Sequence, residues 1–520
     1  MKHTLTRRGF LKNSAAVATA AGLSRFTGLS ARSYGQVAGA NEDIRIGVIG
    51  FNGRGKSHID AWRKIKGVRL VALCDADEEV LHKEAEALAR PIARPTTAPS
   101  TGPSASPTSG PSTMPTRTAK KHDEPALKPI HPTLYTDVRK LLESKEIDAI
   151  STATPNHWHA LISIWACQAG KDVYVEKPVS HNIWEGRKIV EAAEKYNRIV
   201  AAGTQSRSNH SIRAAFEWVK AGNIGKVLVS RGLCYKRRPS IGKVDGPVPI
   251  PESVDYDLWC GPTAKGPLMR KKLHYDWHWV WPTGNGDLGN QGIHQMDLAR
   301  WALGKTNLAP NVLSIGGRFG YVDDGTTPNT LFTVFDYSDS LLIFEVRGLP
   351  EKTGSKEMDE YRKQSVGHVI ECEGGHLSGT VAYDNDGKEI KSFDVEGEDH
   401  FANFVHALRT RKMEDLNAPI LEGHLSSALC HLGNISYRLG QQSEEPELRE
   451  AIKSNKAASD TLSRFEAHLA ANDVDLKKDQ ATLGAYLQFD PRAERFVDND
   501  KANGLLKDTY RKPYEVPESV

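Results

Sequence analysis

Three stretches of the chain carry residue types that proton and electron transfer chemistry needs. Glu176-Lys177-Pro178 closes a short apolar run, Asp172–Val175, and so places an ammonium at the carboxyl end of a parallel strand, where such sheets bind their ligands. A lysine there can hydrogen-bond a substrate hydroxyl and stabilise a developing alkoxide. The plainer reading is a surface ion pair between Glu176 and Lys177. The segment Asp287-Leu288-Gly289-Asn290-Gln291-Gly292-Ile293-His294-Gln295-Met296-Asp297 reads as the start of a helix that continues through Trp301. If that helix includes Asn290, then Asn290, His294 and Asp297 share one face. A neutral imidazole aimed at a hydroxyl is a general base near neutral pH; a lone helical histidine is otherwise a satisfied core residue. Third, Gly50-Phe51-Asn52-Gly53-Arg54-Gly55 follows the apolar run Ile44–Gly50. A dinucleotide turn wants G-x-G-x-x-G. Here Asn52 stands at the second glycine, and asparagine tolerates left-handed geometry, so backbone amides can still approach a pyrophosphate at a helix N-terminus. Asp75, 20 residues beyond Gly55, ends the next strand, Val68–Cys74. An acid there accepts from a ribose 2′-hydroxyl and repels a 2′-phosphate, which favours NAD over NADP.

An aromatic, Pro- and Gly-rich segment lies between Lys236 and Gly286. Trp277, Trp279 and Trp281 alternate, so in a strand they share one face and offer a platform for the apolar side of a sugar. Core packing or a subunit contact is an equal reading. His274, Tyr275 and His278 have no acid-rich cluster beside them, and no metal site is expected.

These groups need a scaffold. Strand, helix and strand alternate from Ile44 to Cys74, the start of a parallel sheet. Strands Ile147–Thr152 and Asp172–Val175 flank a helix over His159–Ala169. Between the second and third strands, prolines recur every fourth residue from Pro91 to Pro115 among Ser, Thr, Ala and Gly. That spacing forbids a helix and predicts an extended surface insertion over 91–128. Beyond about residue 182, helices alternate with longer strands, Val227–Tyr235, Leu331–Asp336 and Leu341–Val346, as a second α/β domain.

With Thr154-Pro155-Asn156-His157-Trp158-His159 added, the chain resembles the Gfo/Idh/MocA oxidoreductase family. The Gly-rich turn, T-P-N-x-x-H, E-K-P and a later G-x-H-x-x-D occur in order, over residues 44 to about 440 apart from the insertion. The resemblance implies an α/β protein: a doubly wound parallel (Rossmann) sheet over 41–180, an α/β domain with a large open sheet over 181–440, and a surface extension over 441–520. It implies that Lys177 and His294 are catalytic, with the bond from Lys177 to Pro178 cis. Cofactor contacts fall to Gly50, Phe51, Asn52, Gly53, Arg54, Gly55, Asp75, Thr154, Pro155, Asn156, His159, Glu176, Lys177 and Gln205. Substrate contacts fall to Asn290, Asp297, Trp279 and Trp281. Inositol dehydrogenase-like members carry Asp four residues before the histidine, where this chain has Asn290. An amide orients a hydroxyl but cannot take its proton, so His294 acts alone or with Asp297. Asp287 substitutes only if its loop bends inward. The activity implied is NAD-dependent oxidation of a secondary hydroxyl of a sugar or cyclitol by a homo-oligomer, a dimer or tetramer. The alternatives are redox-neutral glycoside cleavage through a transient keto sugar, and a non-catalytic cofactor- or carbohydrate-binding module.

Thr6-Arg7-Arg8-Gly9-Phe10-Leu11-Lys12, the mildly apolar run Ser14–Leu23 and Ala38-Gly39-Ala40 resemble a twin-arginine export signal over 1–40. The other reading is a basic arm for a nucleic acid or lipid surface. The export machinery would then be a partner and the periplasm the destination. That run is too short to span a bilayer, and no later stretch is long enough. Without those 40 residues the formal charge of +3 becomes 62 basic against 65 acidic, a body with no electrostatic footprint for nucleic acid. Six scattered cysteines, none paired at zinc-ligand spacing, are expected to be free thiols.

Overall fold

The computed structural model describes residues 43–90 and 127–520; the leader over 1–40 and nearly all of the insertion over 91–128 lie outside the described residues. Six strands, β1 (Ile44–Ile49), β2 (Val68–Cys74), β3 (Thr133–Tyr135), β4 (Ala149–Thr152), β5 (Asp172–Val175) and β6 (Val200–Ala202), form one sheet in the order β3-β2-β1-β4-β5-β6. Every neighbouring pair is parallel. β4 and β5 are buried throughout, as interior strands covered on both faces must be. Helices α1 (Arg54–Lys64) and α2 (Glu78–Ala89) cover one face and α3 (His159–Gln168) and α4 (Ile183–Lys195) the other. Asp77 caps α2 and Asn182 caps α4, each through its side-chain oxygen, which fixes where those helices start. This is the doubly wound arrangement expected, with the strand order reversing between β1 and β4. The first sheet does not stop at residue 180, because β6 pairs with β5 twenty residues further on.

The second sheet runs β7 (Val227–Tyr235), β8 (Asn311–Gly317), β9 (Thr330–Asp336), β10 (Leu341–Arg347), β11 (Val366–Cys372), β12 (Gly375–Ser378), β13 (Val381–Asp384) and β14 (Glu389–Ser392) in chain order. Its spatial order is β14-β13-β12-β11-β7-β10-β9-β8, antiparallel except for β7 beside β10. Helices α5 (Gly292–Leu303) and α7 (Ile420–Arg438) pack on one face through Ile293, Met296, Leu425 and Leu429. Between them in the chain, α6 (His400–Thr410) crosses back to the first sheet, where Phe401 stacks on Tyr174.

Residues 441–520 are more than a surface addition. β15 (Gln441–Ser443), β16 (Ala481–Leu483) and β17 (Leu487–Asp490) extend the large sheet beyond β8. α8 (Glu445–Ile452) and α9 (Lys456–Ala471) bury Leu448, Ile452, Leu462 and Phe465 against Ile315, Phe332 and Ile343 on its other face. Beneath them Glu345 accepts from Arg464, Arg231 and Tyr235. A final strap returns to the first domain. Asp508 accepts from His181 (2.7 Å) and Asn182 (3.1 Å), and Arg511 and Tyr514 donate to Asp257. All six cysteines are free and buried. Among the described residues no helix is long and apolar enough to cross a membrane.

Candidate active site

A cavity of about 490 Å³ opens at the carboxyl ends of β1, β2, β4 and β5. One wall is made of loops from the parallel sheet. Gly50 has φ +74°, and a Cβ there would sit 2.7 Å from the backbone nitrogen of Thr154. A Cβ on Gly55 would meet the Gly50 carbonyl at 2.1 Å, so both positions require glycine. Gly53 has open space where its Cβ would be, and no side chain caps α1, which leaves that helix N-terminus for an anion. Phe51 contributes its amide; its ring is in the core. Asp75 accepts from the Phe51 and Asp77 amides at 3.1 Å each, and burial pushes its carboxyl up to about 6. Asn156 donates to Asn285, while its own Oδ1 is buried beside the cavity without a partner. Glycines closed to a side chain, an uncapped helix start, an acid at the end of β2 and an orphaned acceptor fit a nicotinamide dinucleotide.

Behind this wall, Glu176 is held by four donors. Arg54 Nε (2.9 Å), His58 Nε2 (3.0 Å) and Gln205 Nε2 (3.0 Å) reach Oε1, and the Lys177 amide reaches Oε2 (3.2 Å). Burial alone would raise this carboxyl; His58, Arg54 and Lys177 hold it well below the usual range, so it is ionised. His159 sets its ring nitrogens against the Pro178 (2.6 Å) and Thr154 (2.8 Å) carbonyls and so ties together the two loops that flank the cavity. Thr154, Pro155, His159 and Gln205 line the same space.

Lys177 follows β5, and its bond to Pro178 is cis. Its Nζ donates to the Asn290 carbonyl at 2.8 Å, and burial lowers its pKa. His294 stands in the first turn of α5 on the cavity wall. Burial, with Lys177 nearby, brings its imidazole down to about 3, so it is neutral at physiological pH. Lysine and imidazole therefore meet the turn and Asp75 in one cavity.

Four sequence expectations are corrected. Helix α5 begins at Gly292, so Asn290 lies outside it, with φ −81° and ψ −80°; it still lines the cavity, as expected, and its backbone carbonyl accepts from Lys177. Asp297 does not reach the cavity. It is fully buried on the side of α5 facing α7, where Arg207 grips it bidentately and Ser426 donates to it at 2.7 Å. Asp287, too, is locked, by two 2.7 Å bonds from Arg238. The tryptophans do not alternate along a strand, because Leu273–Asp276 and Trp277–Trp279 are short helical turns. Trp279 is consequently buried under Arg238, and Trp281 faces Arg438 at a second cavity. Trp277 is the one on the main cavity wall, with Trp259, His274, Tyr275, His278 and Gln291. Of these, His274, Tyr275 and His278 belong to the segment whose Tyr and His side chains were expected to bond sugar hydroxyls, and the structure brings them to the cavity wall by helical turns rather than by a strand. Among the described residues no group of three His, Cys, Asp or Glu side chains could hold a metal ion.

Comparison with known proteins bears on this geometry. The family model for the oxidoreductase family's NAD-binding Rossmann fold (Gfo/Idh/MocA) matches residues 116–204, and that for its C-terminal alpha/beta domain matches 226–460, together more than half of the chain. An alpha-N-acetylgalactosaminidase of Shewanella oneidensis is 28% identical over 206 residues, 37% of this chain and 38% of that protein. A glycosyl hydrolase family 109 protein of Shewanella baltica matches to the same extent. The matched stretch thus spans well under half of those relatives. The WlbA dehydrogenase of Bordetella pertussis, solved with NADH and UDP-GlcNAcA, superposes with a TM-score of 0.51 at 18% identity, covering 75% of this chain and 94% of that one. Its counterpart from Chromobacterium violaceum gives 0.51 at 16%, covering 76% and 94%. At those identities the likeness is one of fold.

Proposed function

The chain belongs to the Gfo/Idh/MocA oxidoreductase family and binds NAD, and from that premise we propose that it oxidises a secondary hydroxyl of a sugar or cyclitol. The observation that carries this reading is the shared cavity: Lys177 Nζ and the neutral His294 imidazole lie on the same walls as the Gly50–Gly55 turn and Asp75. When bound, NAD supplies the two-electron oxidation of the carbon that bears the hydroxyl. Lys177, with one N–H engaged by the Asn290 carbonyl, has donors left for the substrate oxygen and stabilises the charge that develops there. His294 takes the hydroxyl proton. Among the described residues no carboxylate backs this histidine: Asp297 and Asp287 are both consumed by arginines. Glu176 holds Arg54 and the backbone of Lys177 in place from behind. Incubation with a panel of sugars should yield a keto sugar or reduced cofactor, and K177A should yield neither.

A second reading has the same oxidation returned within the cycle, so that a glycosidic bond is cleaved without net redox change. The curated relatives named as an alpha-N-acetylgalactosaminidase and as family 109 glycosyl hydrolases favour it. Release of nitrophenol from p-nitrophenyl glycosides with no accumulation of reduced cofactor separates it from the first.

The motif at Thr6–Lys12 supports export in the folded state to the periplasm. Little free cofactor is available there, so the enzyme works with NAD loaded before export and held with nanomolar or tighter affinity, about −12 kcal/mol. Mass spectrometry of the purified protein should find about one NAD(H) per chain, surviving dialysis. An empty protein that needs millimolar NAD would overturn retention.

A further inference from the structure

We propose that His278 is a second catalytic base, the group that removes a carbon-bound proton next to the oxidised carbon. This rests on the redox-neutral reading above. Cleaving a glycosidic bond through a transient ketone demands two separate proton acceptors. The carbon bearing the leaving group is C1, so the proton made acidic must be on C2 and the oxidised hydroxyl on C3. His294 and Lys177 serve the hydroxyl on C3. A different group must reach the hydrogen on C2.

The carboxylates around the cavity are already engaged. Glu176 accepts four hydrogen bonds, Asp287 is gripped by Arg238, Asp75 accepts two amides, and Asp77 is paired with His274 at 2.8 Å. Of the other histidines on the wall, His274 is spent on Asp77, and His159 has carbonyls at both nitrogens. His278 differs. Its Nδ1 lies 2.7 Å from the carbonyl oxygen of Tyr275. A carbonyl only accepts, so the proton sits on Nδ1 and the lone pair on Nε2. Among the described residues no donor reaches Nε2, and the residue lines the cavity. The ring is clamped flat on Trp277, with centroids 3.6 Å apart and planes 20° apart, so the lone pair has a fixed direction. Burial keeps this imidazole neutral, near 3, and Lys177 adds to the effect, as it does at His294. The two neutral imidazoles thus come from different elements, the aromatic segment and α5, and share one ammonium.

The balance of the step is as follows. Once C3 is a ketone, Nε2 takes the C2 proton, and the C–H electrons form an enolate whose oxygen is stabilised by Lys177. The enolate collapses: the C3 carbonyl reforms, a C1–C2 double bond forms, and the C1–O bond breaks with its electrons on the leaving oxygen. Water adds hydroxide at C1 and gives its proton to the departing oxygen. His278 returns its proton to C2, and the ketone is reduced with the electrons withdrawn at the start. Glycoside and water become free sugar and alcohol, with no net oxidation.

H278N tests this, because the asparagine amide keeps a donor for the Tyr275 carbonyl while removing the lone pair. Wild type and variant, each with its retained cofactor, are mixed in D2O with p-nitrophenyl α- and β-glycosides of N-acetylgalactosamine, N-acetylglucosamine, galactose and glucose. Nitrophenolate release, deuterium at C2 of the released sugar and absorbance at 340 nm are followed. Wild type should release nitrophenolate and place one deuterium at C2. H278N should release it roughly 10²–10⁴-fold more slowly, while the 340 nm absorbance rises and stays, since oxidation proceeds and elimination does not. Cleavage by H278N within threefold of wild type, still with deuterium at C2, overturns the role of His278 and leaves the function intact. A wild type that accumulates 340 nm absorbance with no nitrophenolate and no deuterium overturns the redox-neutral reading, and His278 with it. Added imidazole should restore release by H278A, a rescue that a packing role would not show; absence of rescue in a folded, cofactor-loaded H278A counts against the proposal.

Discussion

The two walls of the cavity are held by different means. The cofactor wall is made of turns at the ends of β1, β2, β4 and β5, backed by a sheet buried on both faces, and Glu176 binds four of its neighbours at once. On the substrate wall, His294 is backed by the large sheet through α5, but the aromatic segment is built differently. Short helical turns over residues 256–279 are fastened from outside, by Arg238 between Asp287, Tyr275 and the Trp279 ring and by the C-terminal strap on Asp257. One wall shapes its ligand site largely through backbone turns; the other presents the side chains of the aromatic segment. Their separation predicts that mutations divide cleanly between cofactor retention and substrate turnover.

The largest effect should come from K177A. It removes the ammonium shared by both imidazoles and costs about 3 kcal/mol or more of transition-state stabilisation. Retained NAD should be unchanged, and turnover within twofold of wild type would remove Lys177 from the mechanism. G50A should do the reverse. A Cβ 2.7 Å from the Thr154 backbone, at a left-handed φ, costs about 2 kcal/mol or more in the turn. The variant should purify without its cofactor, as mass spectrometry would show, and a loaded G50A would mean that the turn does not cradle it.

The strap tests the second wall. Burial would lower the pKa of His181, but Asp508 overrides it and raises the imidazole to about 9. The folded value lies above the unfolded 6.5. The pair's contribution is therefore complete below pH 6.5 and is lost as pH rises through 9. Asp508 is partly open to solvent, so this amounts to on the order of 1 kcal/mol. Thermal midpoints should fall between pH 6.5 and 9 in wild type and much less in D508N, which should also raise KM while keeping its NAD. Equal pH slopes would show that the strap does not depend on this pair. The smallest effect is expected from D75S, a shift of about tenfold, or ~1.4 kcal/mol, in preference towards NADP. Unchanged selectivity in parallel titrations would mean that Asp75 does not face the ribose.

The cofactor wall was legible in the sequence because its constraints are local. Gly50 and Gly55 are dictated by contacts within the turn or with the next strand's loop, and Asp75 is set by strand length. Lys177 was legible at a strand end, whereas the roles expected of Lys177 and His294 came from the family resemblance; the structure places both on the cavity wall. The rest depends on partners distant in sequence. Nothing near Asp297 announces Arg207 and Ser426, which convert a potential relay into a core ion pair. The tryptophan spacing has period two, yet the capping of residues 273–279 by their own carbonyls winds it into turns that send Trp279 inward and leave His278 exposed to the cavity. The strands added by residues 441–520 were missed because β15 and β16 are only three residues long.

The strap also sets an order of events. His181, four residues after Lys177, finds its carboxylate partner 327 residues later in the chain. A ribosome that has finished the whole parallel sheet has not yet made the segment that braces the opposite wall. During that interval Asp257 lacks the donors of Arg511 and Tyr514, and His181 lacks Asp508, so the brace on the aromatic segment is the last part of the fold to be supplied.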